Sequence, residues 1–119
     1  MIVIESITSN VIKFRITDSL KVGDFSSFAP RIDALIQEKG TIRLLLDGTL
    51  FKGWENIEAA QEHFTFIKNH HTKVEKIALI AGHTWQHWLA AFANLFIQPD
   101  IKVFDAKDTS AALKWITED

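Results

Sequence analysis

Residues 76–104 read KIALIAGHTWQHWLAAFANLFIQPDIKVF and decide the fold. The first part, residues 77–81, is a continuous apolar run without alternation, which is typical of a strand covered on both faces. Residues 85–97 then show helical periodicity, and Pro99 lies past the point where that helix ends. Because residues 101–104 predict another strand, the stretch predicts a strand–helix–strand crossover of the kind that joins parallel strands.

The rest of the chain repeats this arrangement after an N-terminal hairpin. Apolar patterns predict strands at 2–5 and 11–16, and residues 42–46 predict a third strand. Helical stripes predict the other helices at 25–36, 54–69 and 110–117. The predicted fold class is therefore α/β, with an N-terminal β-hairpin followed by three βα units. We expect a mixed, mostly parallel five-stranded sheet whose first strand is antiparallel, together with four helices.

Three details of this prediction concern the first two helices and the loop between them. Pro30 lies inside the first helical stripe, so we expect a kink or a short separate first piece. Residues 49–53 are predicted to form a loop that carries Phe51, and the second helix is predicted to begin at Trp54. The buried stripe of that second helix is predicted to hold Ile57, Ala60, Phe64 and Ile67, with Phe66 off the stripe.

Composition bounds the class of protein. The 119 residues suffice for one domain, predicted as 1–119, and 47% hydrophobic against 24% charged residues is the balance of a soluble globular protein. A formal net charge of −2 with scattered lysines and arginines argues against a nucleic-acid surface. The sequence has no cysteine, no signal-peptide pattern and no membrane-spanning run, so we expect a cytoplasmic protein.

The sequence lacks the common motifs of catalysis and cofactor binding. Its five glycines form neither GxGxxG nor a P-loop, and no GxSxG elbow occurs. His83 and His87 are four residues apart, but HExxH is not present, and zinc needs three or four ligands. The histidines, among them His63 and His70, are therefore interpreted as polar residues at helix ends that face water. We expect no enzyme, no catalytic residue, no metal site and no cofactor.

The aromatic residues suggest a binding site. Four tryptophans and nine phenylalanines without a tyrosine supply bulk without a phenolic hydroxyl. Large apolar residues follow two neighbouring predicted strands, and ligands of open α/β sheets bind outside the carboxyl ends of strands. Core filling, a dimer patch or contact with a bilayer interface would use the same side chains. The predicted pocket lies between the second and third helices and is lined by Phe51, Trp54, Trp85, Trp88, Leu89 and Phe92.

Three segments, in this order of elements, resemble the SpoIIAA-like proteins, which are small bacterial proteins related in fold to STAS domains. The segments are IRLLLDG at 42–48, KIALIAG at 76–82 and IKVFDAKDTSAALKWI at 101–116, and the resemblance covers essentially residues 1–119. It implies a STAS-like layer fold, also compared with lipid-carrier domains of the CRAL-TRIO type. It further implies a non-enzymatic role with apolar-ligand binding and membrane association through mobile helices.

The resemblance also bears on an alternative function. True anti-sigma-factor antagonists carry a phosphorylatable serine in an Asp-Ser-Ser-Gly context at the start of the second helix, whereas residues 47–54 here read DGTLFKGW without a serine. The leading hypothesis is a cytoplasmic module that binds an apolar small molecule or lipid and associates peripherally with a membrane surface. The alternative is a STAS-type regulatory module that contacts a partner protein or a second copy through residues 49–58. No nucleic-acid partner is expected.

Overall fold

The computed structural model describes residues 2–81 and 100–118. Five strands lie in these ranges: β1 (Ile2–Thr8), β2 (Val11–Leu20), β3 (Ile42–Trp54), β4 (Val74–Ile80) and β5 (Asp100–Phe104). The helices of the described part are α1 (Ala29–Lys39), α2 (Ile57–His70) and α3 (Thr109–Thr117), with single 3₁₀ turns at His71–Lys73 and Ala106–Asp108. The helix predicted at 85–97 lies outside the described residues.

The sheet has the strand order β1-β2-β3-β4-β5. The first strand is antiparallel to β2, and every later neighbour pair is parallel. This confirms the predicted mixed, mostly parallel sheet that follows an N-terminal hairpin. The turn of that hairpin has its left-handed residue at Ser9, directly before Asn10.

The core lies on both faces of the sheet. On one face, β-strand residues pack with Phe25 and Phe28 of the segment before α1 and with Ile32 of α1. On the other face, Leu45 and Phe104 pack with the buried side of α3. Residues of β4 alternate between the two clusters, with Ile77 and Leu79 on the first face and Ala78 and Ile80 on the second. The uninterrupted apolar run in β4 therefore reflects a strand that is covered on both faces.

Two predictions about helix phase and boundaries are wrong. The predicted kink at Pro30 is wrong, because α1 begins at Ala29 and the proline occupies the first turn, where its missing N–H is not needed. The alternative, a short first piece before the main helix, agrees with the turns before α1, in which the N–H groups of Phe28 and Ala29 donate to the Phe25 carbonyl. In α2, Ile57 is 76% exposed, whereas Ala59 is fully buried and Phe66 packs against the core. The predicted positions of Ile57 and Phe66 are therefore wrong, and two histidines that an apolar count passes over also pack on aromatic rings. The side chains of Phe64 and Ile67 lie outside the described ones.

The predicted loop at 49–53 is also wrong, because these residues continue β3 as far as Trp54. Their backbone pairs with the last part of β2, which itself extends to Leu20 and not to residue 16. The ladder pairs the backbone polar groups that face β2, in a segment whose glycine and lysine are poor strand formers. The second helix accordingly begins at Ile57, three residues later than predicted.

A polar cluster at the amino ends of β3 and β4 ties the C-terminal helix to the sheet. The guanidinium of the buried Arg43 donates to Glu75 at 3.1 and 3.2 Å and to the carbonyl oxygens of Ile116 and Glu118 at 3.1 and 2.5 Å. The Thr41 hydroxyl donates to the other Glu75 oxygen. That hydroxyl first, and then Arg43, hold the pKa of the Glu75 carboxyl below its usual range against the opposing effect of desolvation.

Replacement of Arg43 by methionine should lower the free energy of unfolding by about 2–4 kcal/mol, because it removes a buried donor from the Ile116 carbonyl, from the Glu118 carbonyl and from the Glu75 carboxylate. Lys76 remains as a donor to Glu118, and Thr41 remains as a donor to Glu75. Urea unfolding measures this change. Glu75→Gln is the matched control, with an expected loss of about 1 kcal/mol or less, since that side chain is more than one-third exposed. An Arg43→Met variant as stable as the wild type would contradict the anchoring role.

Candidate functional site

The carboxyl end of β3 extends beyond the part of the sheet that pairs with β4. β3 pairs with β4 from Ile42 to Asp47, and with β2 from Arg43 as far as Trp54. The last residues of β2 and β3 thus form a two-stranded extension at the edge where ligands of α/β sheets bind. The pairing ends with Leu20 opposite Trp54, and the carbonyl of Leu20 accepts a hydrogen bond from the N–H of Glu55 at 2.8 Å.

A bulge near the end of β3 brings Phe51 and Trp54 to the same side. Residues three apart in a regular strand face opposite sides of a sheet. Here Asp18 and Leu20, two residues apart, pair with Phe51 and Trp54, so β3 holds one extra residue. Gly53 is that extra residue, and its φ of +100° is a backbone conformation that residues with a Cβ rarely adopt. The two rings meet edge to face with centroids 5.5 Å apart.

The Trp54 indole is fixed by a histidine of α2. Its Nε1–H donates to Nδ1 of His63 at 3.0 Å, and the imidazole stacks on Phe25 with ring centroids 4.6 Å apart. Although His63 keeps some exposed surface, desolvation among these rings lowers its pKa to about 4. The ring is therefore neutral near pH 7. Because Nδ1 accepts from Trp54, its proton lies on Nε2.

Further aromatic rings continue this contact beneath α1 and α2. Phe25 contacts Phe66 of α2 at 5.4 Å between centroids, and both contact Phe28, at 5.7 and 5.8 Å. Phe28 in turn contacts Phe14 of β2 at 5.3 Å. Phe14, Phe25 and Phe28 are all buried. Trp54 thus stands at the outer end of an aromatic cluster that is continuous with the core.

Polar contacts hold α2 against α1 and against the segment before α1. His70 stacks on Phe66, and its two ring nitrogens lie 2.7 Å from the Phe66 carbonyl oxygen and 2.7 Å from Oδ1 of Asp33 on α1. One turn earlier than Phe66, the carboxylate of Glu62 accepts from the backbone N–H of Gly23 at 2.9 and 3.0 Å. The interpretation of His63 and His70 as water-facing residues is therefore wrong, because both pack on aromatic rings.

The structure brings together part of the predicted pocket and adds residues that the sequence did not suggest. Phe51 is 8% exposed and touches the half-buried Trp54, while the other four predicted lining residues, Trp85, Trp88, Leu89 and Phe92, lie outside the described residues. The pocket predicted between the helices at 54–69 and 85–97 therefore stays a prediction. The missed members are His63 and Phe25. A helical stripe drawn through Ala59 with histidine allowed as an inward residue would have found the first.

Within residues 2–81 and 100–118, this edge combines the apolar contact of Phe51 and Trp54 with the hydrogen bond between Trp54 and His63. In the same two ranges, no three side chains of histidine, aspartate or glutamate come together as metal ligands do. None of the helices described is long and apolar enough to cross a membrane.

The fold and the aromatic edge define a STAS-like α/β module of the binding or regulatory kind. A family model described as SpoIIAA-like matches residues 11–117, and the chain belongs to this family. It is also similar to the crystal structure of an uncharacterised protein with a SpoIIAA-like fold from Shewanella loihica PV-4. The TM-score is 0.75 and the identity 25%, over 98% of this chain and 92% of that one. A comparison with curated proteins finds no match.

Replacement of Gly53 by alanine should lower the free energy of unfolding by about 1–3 kcal/mol through backbone strain alone. A Cβ at this position meets no atom within 4 Å, so steric overlap does not contribute. Chemical unfolding measures the effect, and the neighbouring Lys52→Ala is the control. Its exposed ion pair with Asp18 contributes about 1 kcal/mol at most. Equal stability of Gly53→Ala and wild type would contradict the bulge geometry.

Stability should depend on pH through His63. Its folded-state pKa of about 4 lies below the ordinary 6.5, so the unfolded chain binds the proton first as the pH falls. The contribution of the neutral ring is complete above pH 6.5 and is lost progressively towards pH 4. Between pH 7 and pH 4, wild type should lose about 1–3 kcal/mol more than His63→Phe. Parallel loss in both proteins would show that the imidazole is not desolvated.

Proposed function

We propose that residues 1–119 act as one non-enzymatic domain that binds an apolar, lipid-like ligand at the aromatic edge formed by β3 and α2. In this proposal the protein is cytoplasmic and associates peripherally with a membrane surface, from which it takes or to which it delivers its ligand. Membership of the SpoIIAA-like family and the STAS-like fold support the coarser part, a binding or regulatory module.

One observation carries the ligand proposal: Trp54 is a half-buried aromatic ring at the carboxyl edge of a parallel sheet, fixed on two sides. Phe51 packs against it edge to face, and His63 accepts its N–H. A rigid, oriented ring that still keeps solvent-accessible surface offers apolar contact without the entropic cost of ordering it on binding. Burial of such a side chain by a ligand contributes about 1.5–3 kcal/mol.

A second candidate function is favoured by the exposed apolar residues on either side of Trp54. Leu50 is 60% exposed and Ile57 is 76% exposed, and both lie within residues 49–58, the surface predicted to contact a partner protein. Exposed large apolar side chains of this kind suit a protein–protein interface. Thr49, at the start of this surface, donates its hydroxyl and its N–H to Asp47. A regulatory module acting here would work without the phosphorylatable serine.

Calorimetric titration with dodecanoic acid tests the leading proposal. Wild type should bind, and Trp54→Ala should bind about tenfold more weakly, because one ring of the contact is lost. Trp115→Ala is the matched control, since that tryptophan packs on the opposite face beside Phe104, and its affinity should change less than twofold. The double replacement of Trp85 and Trp88 by alanine should also weaken binding. Unchanged affinity both in Trp54→Ala and in the double variant would contradict the proposal.

The second candidate function, a protein interface at residues 49–58, predicts a different result in these experiments. If residues 49–58 bind a protein, a defined partner isolated with wild type should be lost with Leu50→Ser and Ile57→Ser. Dodecanoic acid affinity should then be absent, or unaffected by those two changes. Loss of dodecanoic acid binding in the same variants would instead extend the ligand site to these exposed residues.

A further inference from the structure

We propose that His63 is a positioning residue whose Nδ1 accepts the hydrogen bond from Nε1–H, the only polar group of the Trp54 ring. As a result, the site selects ligand segments that lack a hydrogen-bond acceptor. The inference rests on the proposed function and narrows its substrate class. At Trp54, the ligand would present saturated or aromatic hydrocarbon, and any carboxylate, ester or headgroup would lie elsewhere. A positioning part and a selectivity part can be tested separately.

The indole ring of Trp54 has one polar group, and that group is already bonded. Tryptophan carries a single polar group, the Nε1–H donor, and no strong acceptor. In this protein that donor bonds to Nδ1 of His63 at 3.0 Å. The remaining surface of the ring consists of carbon, and its nearest partner at the end of β3 is the wholly apolar ring of Phe51. On the ring itself, a ligand therefore contacts carbon atoms, because the N–H is already bonded.

The imidazole can act as a fixed acceptor because its own position is set by packing. Its ring lies 23° from the plane of Phe25, which is buried in the core. The preceding residue, Glu62, is held by two hydrogen bonds from the N–H of Gly23, so the same turn of α2 is tied to the segment before α1. One turn earlier in α2, the side chain of Ala59 is fully buried. These contacts hold Nδ1 in line with the end of β3.

Selectivity arises because a ligand with a hydrogen-bond acceptor would have to replace the hydrogen bond between Trp54 and His63 with its own. To accept from Nε1–H, its oxygen would displace Nδ1 and leave the imidazole acceptor without a donor inside an aromatic cluster. One hydrogen bond is gained and one is lost, and the ligand oxygen also gives up its water. Discrimination is strong when binding leaves a buried polar group of the site without its partner, as the imidazole would be here. We expect about tenfold or greater discrimination against an acceptor placed at this ring.

The positioning part is tested without a ligand. In ¹⁵N-labelled protein, Trp54→Phe assigns the Trp54 indole N–H signal. His63→Phe keeps an aromatic ring on Phe25 but removes the acceptor, so that signal should shift upfield and exchange faster with water. His63→Asn offers an oxygen near the place of Nδ1 and should restore slow exchange. An indole signal that does not respond to His63→Phe would overturn the proposal.

The wild-type protein supplies a second test that needs no folded variant. Histidine ¹⁵N shifts at pH 7 should show His63 as the neutral tautomer with the proton on Nε2 and a bare Nδ1. A proton on Nδ1 would overturn the assignment, because two donors would then face each other.

The selectivity part is tested with two kinds of probe of equal chain length. One is dodecanoic acid, and the other is a set of its analogues that each carry one mid-chain ketone. Wild type should bind the ketone whose carbonyl reaches Trp54 about tenfold more weakly, and His63→Phe should reduce this difference. Equal affinity for all probes, with the indole bond intact, would overturn the selectivity. If wild type binds neither probe, the ligand proposal and its selectivity both fail, while the indole signal still decides the role of His63.

Discussion

The extended pairing of β3 with β2 is the constraint on which the functional edge depends. Beyond Asp47, the carboxyl part of β3 follows β2 to Leu20, and its backbone hydrogen bonds are made there. An extra residue at Gly53 then reverses the alternation, so that Phe51 and Trp54 share one side. Without that bulge, one of the two rings would face the opposite side of the sheet. The contact between the two rings therefore depends first on the backbone bulge and only then on the residue types.

The same edge links the two structural roles of α2. Its inward residues fill the core through Phe66 and reach the edge through His63, while Glu62 and His70 bind the segment before α1 and α1 itself. A helix held at several points along its length presents its imidazole in one orientation. The neutral state of that imidazole is a consequence of the rings around it, and it leaves Nδ1 available to accept from Trp54. Packing, protonation and side-chain orientation are therefore coupled at a single residue.

Much of this fold could be predicted from the sequence, because apolar periodicity reports burial directly. The run at 77–81 predicted a strand covered on both faces, and β4 packs into both core clusters. The end of β3 could not be predicted, since Gly53 and Lys52 are typical of loops and their pairing depends on a distant partner strand. The role of His63 was missed for a related reason. Histidine counts as polar in a pattern, but its ring packs like an aromatic one once an indole satisfies its acceptor.

In the proposed function, the aromatic edge at Trp54 binds an apolar molecule. Native mass spectrometry of the purified protein, before and after incubation with liposomes, tests it most directly. We expect a mass excess that matches a fatty acid or lipid, present in wild type and depleted in Trp54→Ala. A mass equal to that of the bare chain under both conditions, with tryptophan fluorescence also unchanged by liposomes, would contradict the account and favour a protein partner at residues 49–58.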